Sequence, residues 1–168
     1  LSFGTCLPLG EETGDFCKIY LPDGKSGYIE TQEHVVKKCR KTIIELAISL
    51  LGVPYLWGGK SSFGYDCSGF IQMILKTVGI NIQRDTSQQI QADWLEKIDV
   101  HEAQPGDVIF FSENNRINHV AFSLGGGNII HCSGEVKIES IKEGEPDFSK
   151  ELSQLTSQTF SIIKKVVS

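Results

Sequence analysis

The stretch YDCSGF, residues 65–70, decides the interpretation of this chain, because it places a cysteine at the predicted start of a helix. A helix is predicted from Cys67 to Val78, with Asp66 as its N-cap and Gly79 as the residue that ends it. Unpaired N–H groups at a helix N-terminus lower the pKa of a thiol and can bind a developing oxyanion. Cys67 is therefore a candidate nucleophile, and the alternative is a small buried cysteine.

The composition limits the classes of function. The chain has 168 residues, 40% of them hydrophobic, which suits one domain with a small appendage. The net charge of −5 argues against a nucleic-acid-binding surface, which is normally basic. No run of roughly 18 apolar residues predicts a membrane-spanning helix. The first residue is Leu rather than Met, so we expect a trimmed chain in which a missing signal peptide carries no information.

The cysteines point to neither a metal nor a disulfide framework. The five are Cys6, Cys17, Cys39, Cys67 and Cys132. An odd number leaves at least one unpaired; a local disulfide between Cys6 and Cys17 is conceivable, and reduced thiols are the commoner case. The tight Cys and His spacings of zinc sites do not occur. No metal or cofactor is expected.

Residues 1–33 are predicted to form a small β domain. The β-prone runs FGTCLPL, FCKIYL and GYIE are separated by the turn-forming runs GEETGD and PDGKSG. Three short strands make a poor core by themselves, so this region is expected to be the latter part of a small, partial β-barrel.

Residues 34–168 are predicted to form an α+β domain. A helix over 34–51 precedes a glycine-rich loop and the helix that begins at Cys67. Thr86 and Gln89 match a capping box that opens a short helix over 87–95. The chain then continues as strands, with a short helix over 148–158. The predicted strands are 108–112, 119–124, 128–133, 136–141 and 160–167. Helices followed by an antiparallel meander indicate an α+β fold.

A predicted hairpin places two histidines together. If Leu124 pairs with Asn128 across the GGG turn, His131 faces Ala121 and the imidazoles of His119 and His131 are diagonal neighbours on one face. A one-residue slip would put them on opposite faces. The remaining two histidines of the chain lie in polar surroundings and are expected to be solvated.

The apolar residues of this hairpin occupy both faces. Ala121 and Ile129 share the histidine side, whereas Val120, Phe122 and Ile130 point the other way. We therefore expect the sheet to be covered on both faces.

These residues suit the chemistry of a thiol peptidase. Cys67 would attack an acyl carbon, and His119 would accept the thiol proton and later protonate the leaving amine. His131 would hold the imidazole of His119 in its working tautomer. Tyr55, in the loop before the nucleophile, can join the oxyanion site. Trp57, beside it, either lines the site or packs as an ordinary aromatic residue.

Three runs resemble the motifs of the NlpC/P60 cysteine peptidases of bacteria. They are PYLWGGKSSFGYDCSGF, QPGDVIFF and INHVAFSLGGGNIIHCSG, and the resemblance covers roughly residues 36–140. It implies a papain-like fold, in which N-terminal helices pack on an antiparallel sheet. It also implies that Cys67 is the nucleophile, His119 the base, His131 the orienting residue, and Tyr55 the tyrosine beside the nucleophile.

The resemblance also implies a set of substrate-binding residues. Asp66 and Ser68 match positions that contact the amino group and the D-glutamate carboxylate of the substrate in family members that cut short wall peptides. Arg84, Asp85 and Thr86 match a stretch that lines the same groove. A buried amine needs an acidic partner and a carboxylate needs donors, and Asp66 for the first and Ser68, Arg84 and Thr86 for the second meet that requirement.

The run DGKSGYIE resembles the final strands of a bacterial SH3-like (SH3b) domain. In family members with this arrangement, the SH3b domain closes the pocket for a free N-terminal L-Ala. We expect the front half of that domain to be missing from this sequence. The group that binds the L-Ala amine is therefore missing, or is Tyr28, Glu30 or Glu33.

We therefore expect a cysteine endopeptidase that hydrolyses γ-D-glutamyl–diamino acid bonds of peptidoglycan peptides in turnover, recycling or remodelling of the bacterial cell wall. Its alternatives are an amidase or endopeptidase acting on intact peptidoglycan and a non-catalytic wall-binding module. The expected partner is a peptidoglycan-derived peptide, with neither nucleic acid nor membrane. The sequence leaves open the oligomeric state, the choice between diaminopimelate and lysine, and whether the protein works in the cytoplasm or the cell envelope.

Overall fold

The N-terminal part forms its own antiparallel sheet. The computed structural model describes residues 3–5, 7–30 and 38–162. The sheet has the order β1-β2-β3, with β1 at Leu9–Thr13, β2 at Phe16–Tyr20 and β3 at Ser26–Glu30. The strand expected over 3–9 is wrong: the strand is instead the next segment, Leu9–Thr13, which the tight turn at Gly14, where φ is 59°, joins to β2. Cys6, Glu33 and His34 lie outside the described residues, so the disulfide expectation does too.

Two helices form one layer of the main domain. Helix α1 spans Arg40–Ile48 and helix α2 spans Cys67–Thr77. The prediction for α2 is confirmed: the Asp66 carboxylate accepts the N–H of Gly69 at 2.7 Å, and the buried face includes Phe70 and Ile74. Helix α1 is shorter than the predicted 34–51, since it begins after its N-cap Cys39 and the chain turns after Ile48. In the described part of the chain, no helix has the length and apolarity that crossing a bilayer requires.

The remaining helices are shorter than predicted. They are α3 at Thr86–Gln89 and α4 at Lys150–Ser153, whereas a 3-10 helix at Val100–Glu102 was not predicted. The capping-box prediction is wrong. Asp85 occupies the N-cap position, and the side chain of Gln89 is fully buried, donating to the backbone oxygens of Ser68 and Gln83. Long-range main-chain acceptors therefore outcompete the local cap.

The second layer is a six-stranded sheet of order β10-β9-β8-β7-β11-β6, and all its pairs are antiparallel. The strands are β6 at Glu96–Ile98, β7 at Val108–Glu113, β8 at Arg116–Gly125, β9 at Asn128–Ser133, β10 at Glu135–Ser140 and β11 at Thr156–Ser161. Strand β6 was not predicted, and β11 begins inside the predicted helix over 148–158. Residues 163–167 of the predicted terminal strand lie outside the described part.

Both faces of the sheet are covered, as predicted. Val120, Phe122 and Ile130 pack against the helical layer, with Phe122 edge-to-face on a phenylalanine of α2. Ala121 and Ile129 belong to a second cluster under α4. The α+β architecture is therefore confirmed, with the start of α2 held against the sheet.

The glycine-rich loop before α2 is held close to the helix. It contains a small hairpin of β4 at Lys60–Ser61 and β5 at Gly64–Tyr65. A Cβ on Gly69, in the first turn of α2, would overlap the carbonyl oxygen of Gly59. Position 69 therefore requires glycine. The close contact at this position holds the loop that carries Tyr55 and Trp57 against the helix.

Candidate active site

Cys67 occupies the first position of α2, at the floor of a groove of about 1170 Å³. The residue is only 8% exposed. Burial, and then the charge of Asp66, raises the pKa of the Cys67 thiol, although the backbone N–H groups of Ser68 and Val120 oppose this shift. The lowered pKa expected from the helix terminus is therefore wrong. Cys67 is a neutral thiol at neutral pH and needs a base to become a nucleophile.

The hairpin of β8 and β9 has the predicted register in its central part. Phe122 pairs with Ile130, while a bulge near the turn makes Gly125, rather than Leu124, the partner of Asn128. The ladder between these two strands, all of whose residues are described, extends no further toward the histidines than Phe122–Ile130. The start of α2 lies near this end of the ladder, where the N–H of Val120 acts on the Cys67 thiol.

The two histidines lie on one face, as predicted. His119 Nε2 and His131 Nδ1 are 2.7 Å apart, and the rings meet edge-to-face. His131 is fully buried and His119 is half-buried. Burial, and then His131, lowers the pKa of His119 to about 3, and burial lowers the pKa of His131 although Glu139 opposes it. Both imidazoles are therefore neutral at neutral pH.

The bond between the histidines uses Nε2 of His119, so Nδ1 of His119 is the nitrogen that can accept a proton from Cys67. Among the described residues no hydrogen bond yet joins these two side chains, although the thiol lies beside Val120, the neighbour of His119. In ligand-free enzymes such bonds are often long and tighten only when substrate binds. The arrangement suits general-base activation of a thiol.

Asp66, Ser68 and Arg84 form one network beside Cys67. Arg84 donates two hydrogen bonds to the Asp66 carboxylate, at 2.6 and 3.0 Å, and a third to Ser68 Oγ at 2.8 Å. Burial would raise the pKa of Asp66, but Arg84 and the N–H groups of Gly69 and Gly58 hold it below its usual value. Asp66 and Arg84 thus neutralise each other, so neither brings a free charge to the groove.

Eight of the ten predicted site residues line the groove. They are Tyr55, Trp57, Asp66, Cys67, Ser68, Arg84, Asp85 and Thr86, while His119 and His131 lie beyond them on the sheet. Burial, and then repulsion by Cys67 in its ionised form, raises the pKa of Tyr55, so its hydroxyl stays protonated and can donate. Trp57 is 87% exposed, which excludes ordinary core packing. Of the residues considered for the L-Ala amine, Tyr28 and Glu30 are on β3 and are not among the described groove residues.

The sequence reasoning missed two parts of the site. The end of β7, the start of β8 and the two-residue turn between them, residues 113–118, also line the groove and contribute Arg116. Glu139 on β10 bonds His131 from behind, with Oε2 at 2.8 Å from Nε2. The alternation of β10 would have put Glu139 on the histidine face if the register with β9 had been known. Within the described ranges, His, Cys, Asp and Glu side chains nowhere gather in threes that could hold a metal.

Comparison with known proteins gives consistent matches. The sequence model of the NlpC/P60 family matches residues 52–154. A γ-D-glutamyl-L-lysine dipeptidyl-peptidase from Bacillus cereus is 32% identical over 163 residues, which cover 90% of this chain and 48% of the relative. The protein of the same name from Bacillus subtilis is 35% identical over 159 residues, covering 90% and 53%. The chain therefore spans about half the length of these curated relatives.

Solved structures give the same result for the fold. The crystal structure of an NlpC/P60 family protein from Bacillus cereus superposes with a TM-score of 0.71 at 30% identity. The superposition covers 90% of this chain and 52% of that one. The match therefore includes residues outside the segment matched by the family model.

Proposed function

Because this chain belongs to the NlpC/P60 family, we propose that it is a cysteine peptidase that hydrolyses γ-D-glutamyl–diamino acid bonds of peptidoglycan stem peptides. It releases the L-Ala–D-Glu dipeptide from stem peptides whose N-terminal amine is free. The observation that carries the proposal is a buried thiol at the start of α2, beside the strand of a neutral histidine that is bonded to a second histidine. The names of the similar dipeptidyl-peptidases support this choice of bond.

Acylation begins with transfer of the Cys67 thiol proton to Nδ1 of His119. The sulfur then attacks the γ-carbonyl carbon of D-glutamate, and the carbonyl oxygen becomes an oxyanion. The N–H groups at the start of α2 and the Tyr55 hydroxyl are the donors available to it, since Asp66 already takes the N–H of Gly69. The C–N bond breaks as imidazolium His119 gives its proton to the leaving amine, and a thioester on Cys67 remains.

Deacylation repeats these steps with water. His119, neutral again, takes a proton from the water that attacks the thioester carbon. Collapse of the second oxyanion breaks the C–S bond, and the thiolate recovers its proton from His119. The products are the free γ-carboxyl of D-glutamate and the regenerated thiol.

The charges of the groove fit a substrate with two charged ends. Because Asp66 and Arg84 are bonded to each other, they are better suited to fixing Ser68 than to binding a substrate ion. Asp85 and Arg116 line the groove, and neither side chain has an ion-pair partner within the described ranges. We assign the α-amine of L-Ala to Asp85 and the α-carboxylate of D-glutamate to Arg116, with Ser68 and Thr86 as further donors.

The N-terminal region is proposed to be a separate unit. The three-stranded sheet over β1–β3 lies within the expected SH3b-like domain of residues 1–33, and residues 34–168 would then form the catalytic domain. This unit and its boundary are proposals. Deleting residues 1–33 tests them, because a catalytic domain that still unfolds cooperatively supports the boundary and one that no longer folds contradicts it.

The proposal is tested by incubating the protein with L-Ala-γ-D-Glu-L-Lys, its diaminopimelate counterpart, the N-acetylated forms of both, and intact peptidoglycan. We expect cleavage of the free peptides, little cleavage of the acetylated ones, and complete loss of activity in Cys67→Ala. Equal cleavage of free and acetylated peptides, or release from intact peptidoglycan alone, would support the wall hydrolase instead. Binding to peptidoglycan without cleavage of any substrate would support the wall-binding module.

The Asp85→Asn variant sharpens the test. If Asp85 pairs with the amine, the variant cleaves the free peptide more slowly and the acetylated peptide as before, so the preference for a free amine falls. Ser87→Ala changes a neighbouring groove residue that carries no charge and serves as the matched control. An unchanged preference in Asp85→Asn refutes this assignment and leaves the bond specificity to the tripeptide assay.

A further inference from the structure

A carboxylate stands behind the two histidines, on the third strand along the sheet. His131 Nε2 and Glu139 Oε2 are 2.8 Å apart, and Lys137 Nζ lies 3.1 Å from the other carboxylate oxygen, Oε1. The Glu139 side chain is 23% exposed and the His131 side chain only 1%. Strand β10 carries Lys137 directly opposite His131, so both charged groups sit on the histidine face. His119, His131, Glu139 and Lys137 thus form one chain of polar contacts.

The chemistry of these groups determines which nitrogen donates in each of the hydrogen bonds. An ionised carboxylate only accepts hydrogen bonds, so His131 Nε2 must carry a hydrogen and donate it to Glu139. Burial keeps each imidazole neutral, with one N–H per ring. His131 Nδ1 is then an acceptor, and the hydrogen in its 2.7 Å bond to His119 must belong to His119 Nε2. Nδ1 of His119 is left with the lone pair that can take the proton of Cys67.

We propose that Glu139 is a positioning residue that sets the tautomers of both histidines and so makes His119 Nδ1 the basic nitrogen. Without an acceptor behind it, His131 can equally hold its hydrogen on Nδ1 and donate it to His119 Nε2. His119 then carries its own hydrogen on Nδ1 and cannot accept one from Cys67. Two neutral imidazoles bonded to each other do not by themselves favour either of these two tautomer arrangements. A third group is therefore needed to stabilise one of them.

Lys137 keeps this arrangement neutral. A lone carboxylate beside His131 would favour an imidazolium, and a protonated His131 would donate from Nδ1 and reverse the direction. The ammonium group of Lys137, bonded to Glu139, opposes that charge. Among the described residues, Glu139 is the charged side chain that bonds the histidine pair, and Lys137 is the charged side chain that bonds Glu139.

The test measures tautomers directly, by long-range ¹H–¹⁵N NMR correlation in protein labelled with ¹⁵N-histidine. The wild-type protein is compared with Glu139→Leu, with Glu139→Ala as a second variant should the first not fold. Glu135→Leu, an exposed position on the same strand, is the matched control. This inference rests on the proposed function, since it assumes that His119 is the base, but the spectra need no substrate.

We expect Nε2–H on both histidines in the wild type and the control, and a large share of Nδ1–H on His119 in the Glu139 variants. The value of kcat for the tripeptide should fall by about 10- to 100-fold, with KM within about twofold, because substrate contacts are unchanged. The inference is overturned if His119 stays Nε2–H in both folded Glu139 variants. If the tautomers shift as expected but the wild type cleaves no γ-D-glutamyl peptide, the inference stands and the proposed function fails.

Discussion

Acid is expected to destabilise the folded protein through its neutral imidazoles. The contribution of His119 to this loss of stability can be calculated from its lowered pKa. Its pKa is about 3 in the folded state and 6.5 as an unperturbed group. Between these pH values the unfolded chain binds a proton that the folded chain does not, so stability falls as the pH drops below 6.5. At pH 5.0 the unfolded state gains about 2 kcal/mol from this one group, relative to pH 7.5.

The assay is urea unfolding, followed by far-UV circular dichroism at pH 7.5 and 5.0, for the wild type and His119→Gln. Glutamine retains a polar group toward His131 but does not titrate, so the variant should lose about 2 kcal/mol less than the wild type on acidification. His101→Gln changes an exposed histidine and is the matched control, which must not reproduce this difference. Equal losses in the wild type and His119→Gln would refute a buried neutral imidazole at this position.

Three further changes probe other parts of the site. Gly69→Ala places a Cβ against the carbonyl oxygen of Gly59 and should lower the free energy of unfolding by about 3 kcal/mol in urea titrations. Arg84→Met leaves the Asp66 carboxylate buried without its counter-ion, which should also cost about 3 kcal/mol by the same measurement. Arg116→Gln should raise KM for the tripeptide about tenfold with kcat unchanged, in steady-state assays, since a charge-assisted bond to the substrate carboxylate is lost.

Each change has a contrary result, and the glycine change has a matched control. Gly27→Ala introduces a Cβ whose nearest neighbour is 3.9 Å away, so a similar loss there would remove the steric explanation for Gly69. An Arg84→Met protein as stable as the wild type would mean that its ion pair contributes nothing to the fold. A KM unchanged by Arg116→Gln would remove this residue from the substrate site.

The parts predicted well from the sequence are those fixed by local chemistry. The start of α2 follows from Asp66, which caps the helix, and from Gly69, whose lack of a side chain lets the loop approach the helix closely. The common face of His119 and His131 follows from the period of two along strands, and the central register fixed it. Neither prediction depended on distant parts of the chain.

The parts predicted badly depend on distant partners. Gln89 matched a local cap, but its side chain is bound by backbone oxygens that the fold brings from elsewhere. The pKa of Cys67 rises because burial outweighs the helix terminus, and burial is a property of the folded sheet. Glu139 was missed for another reason: it is only eight residues from His131, but its place beside that ring depends on the register of β10 against β9.

The most direct test of the central claim is the detection of the acyl-enzyme. The protein is mixed with L-Ala-γ-D-Glu-L-Lys, quenched with acid within the first turnover, and digested for mass spectrometry. We predict that the peptide containing Cys67 carries the mass of the L-Ala–D-Glu acyl group, that free L-Lys appears in equal amount, and that the adduct is absent from Cys67→Ala. Release of L-Lys with no adduct on Cys67 under any quench time, or release that persists in Cys67→Ala, would contradict the account.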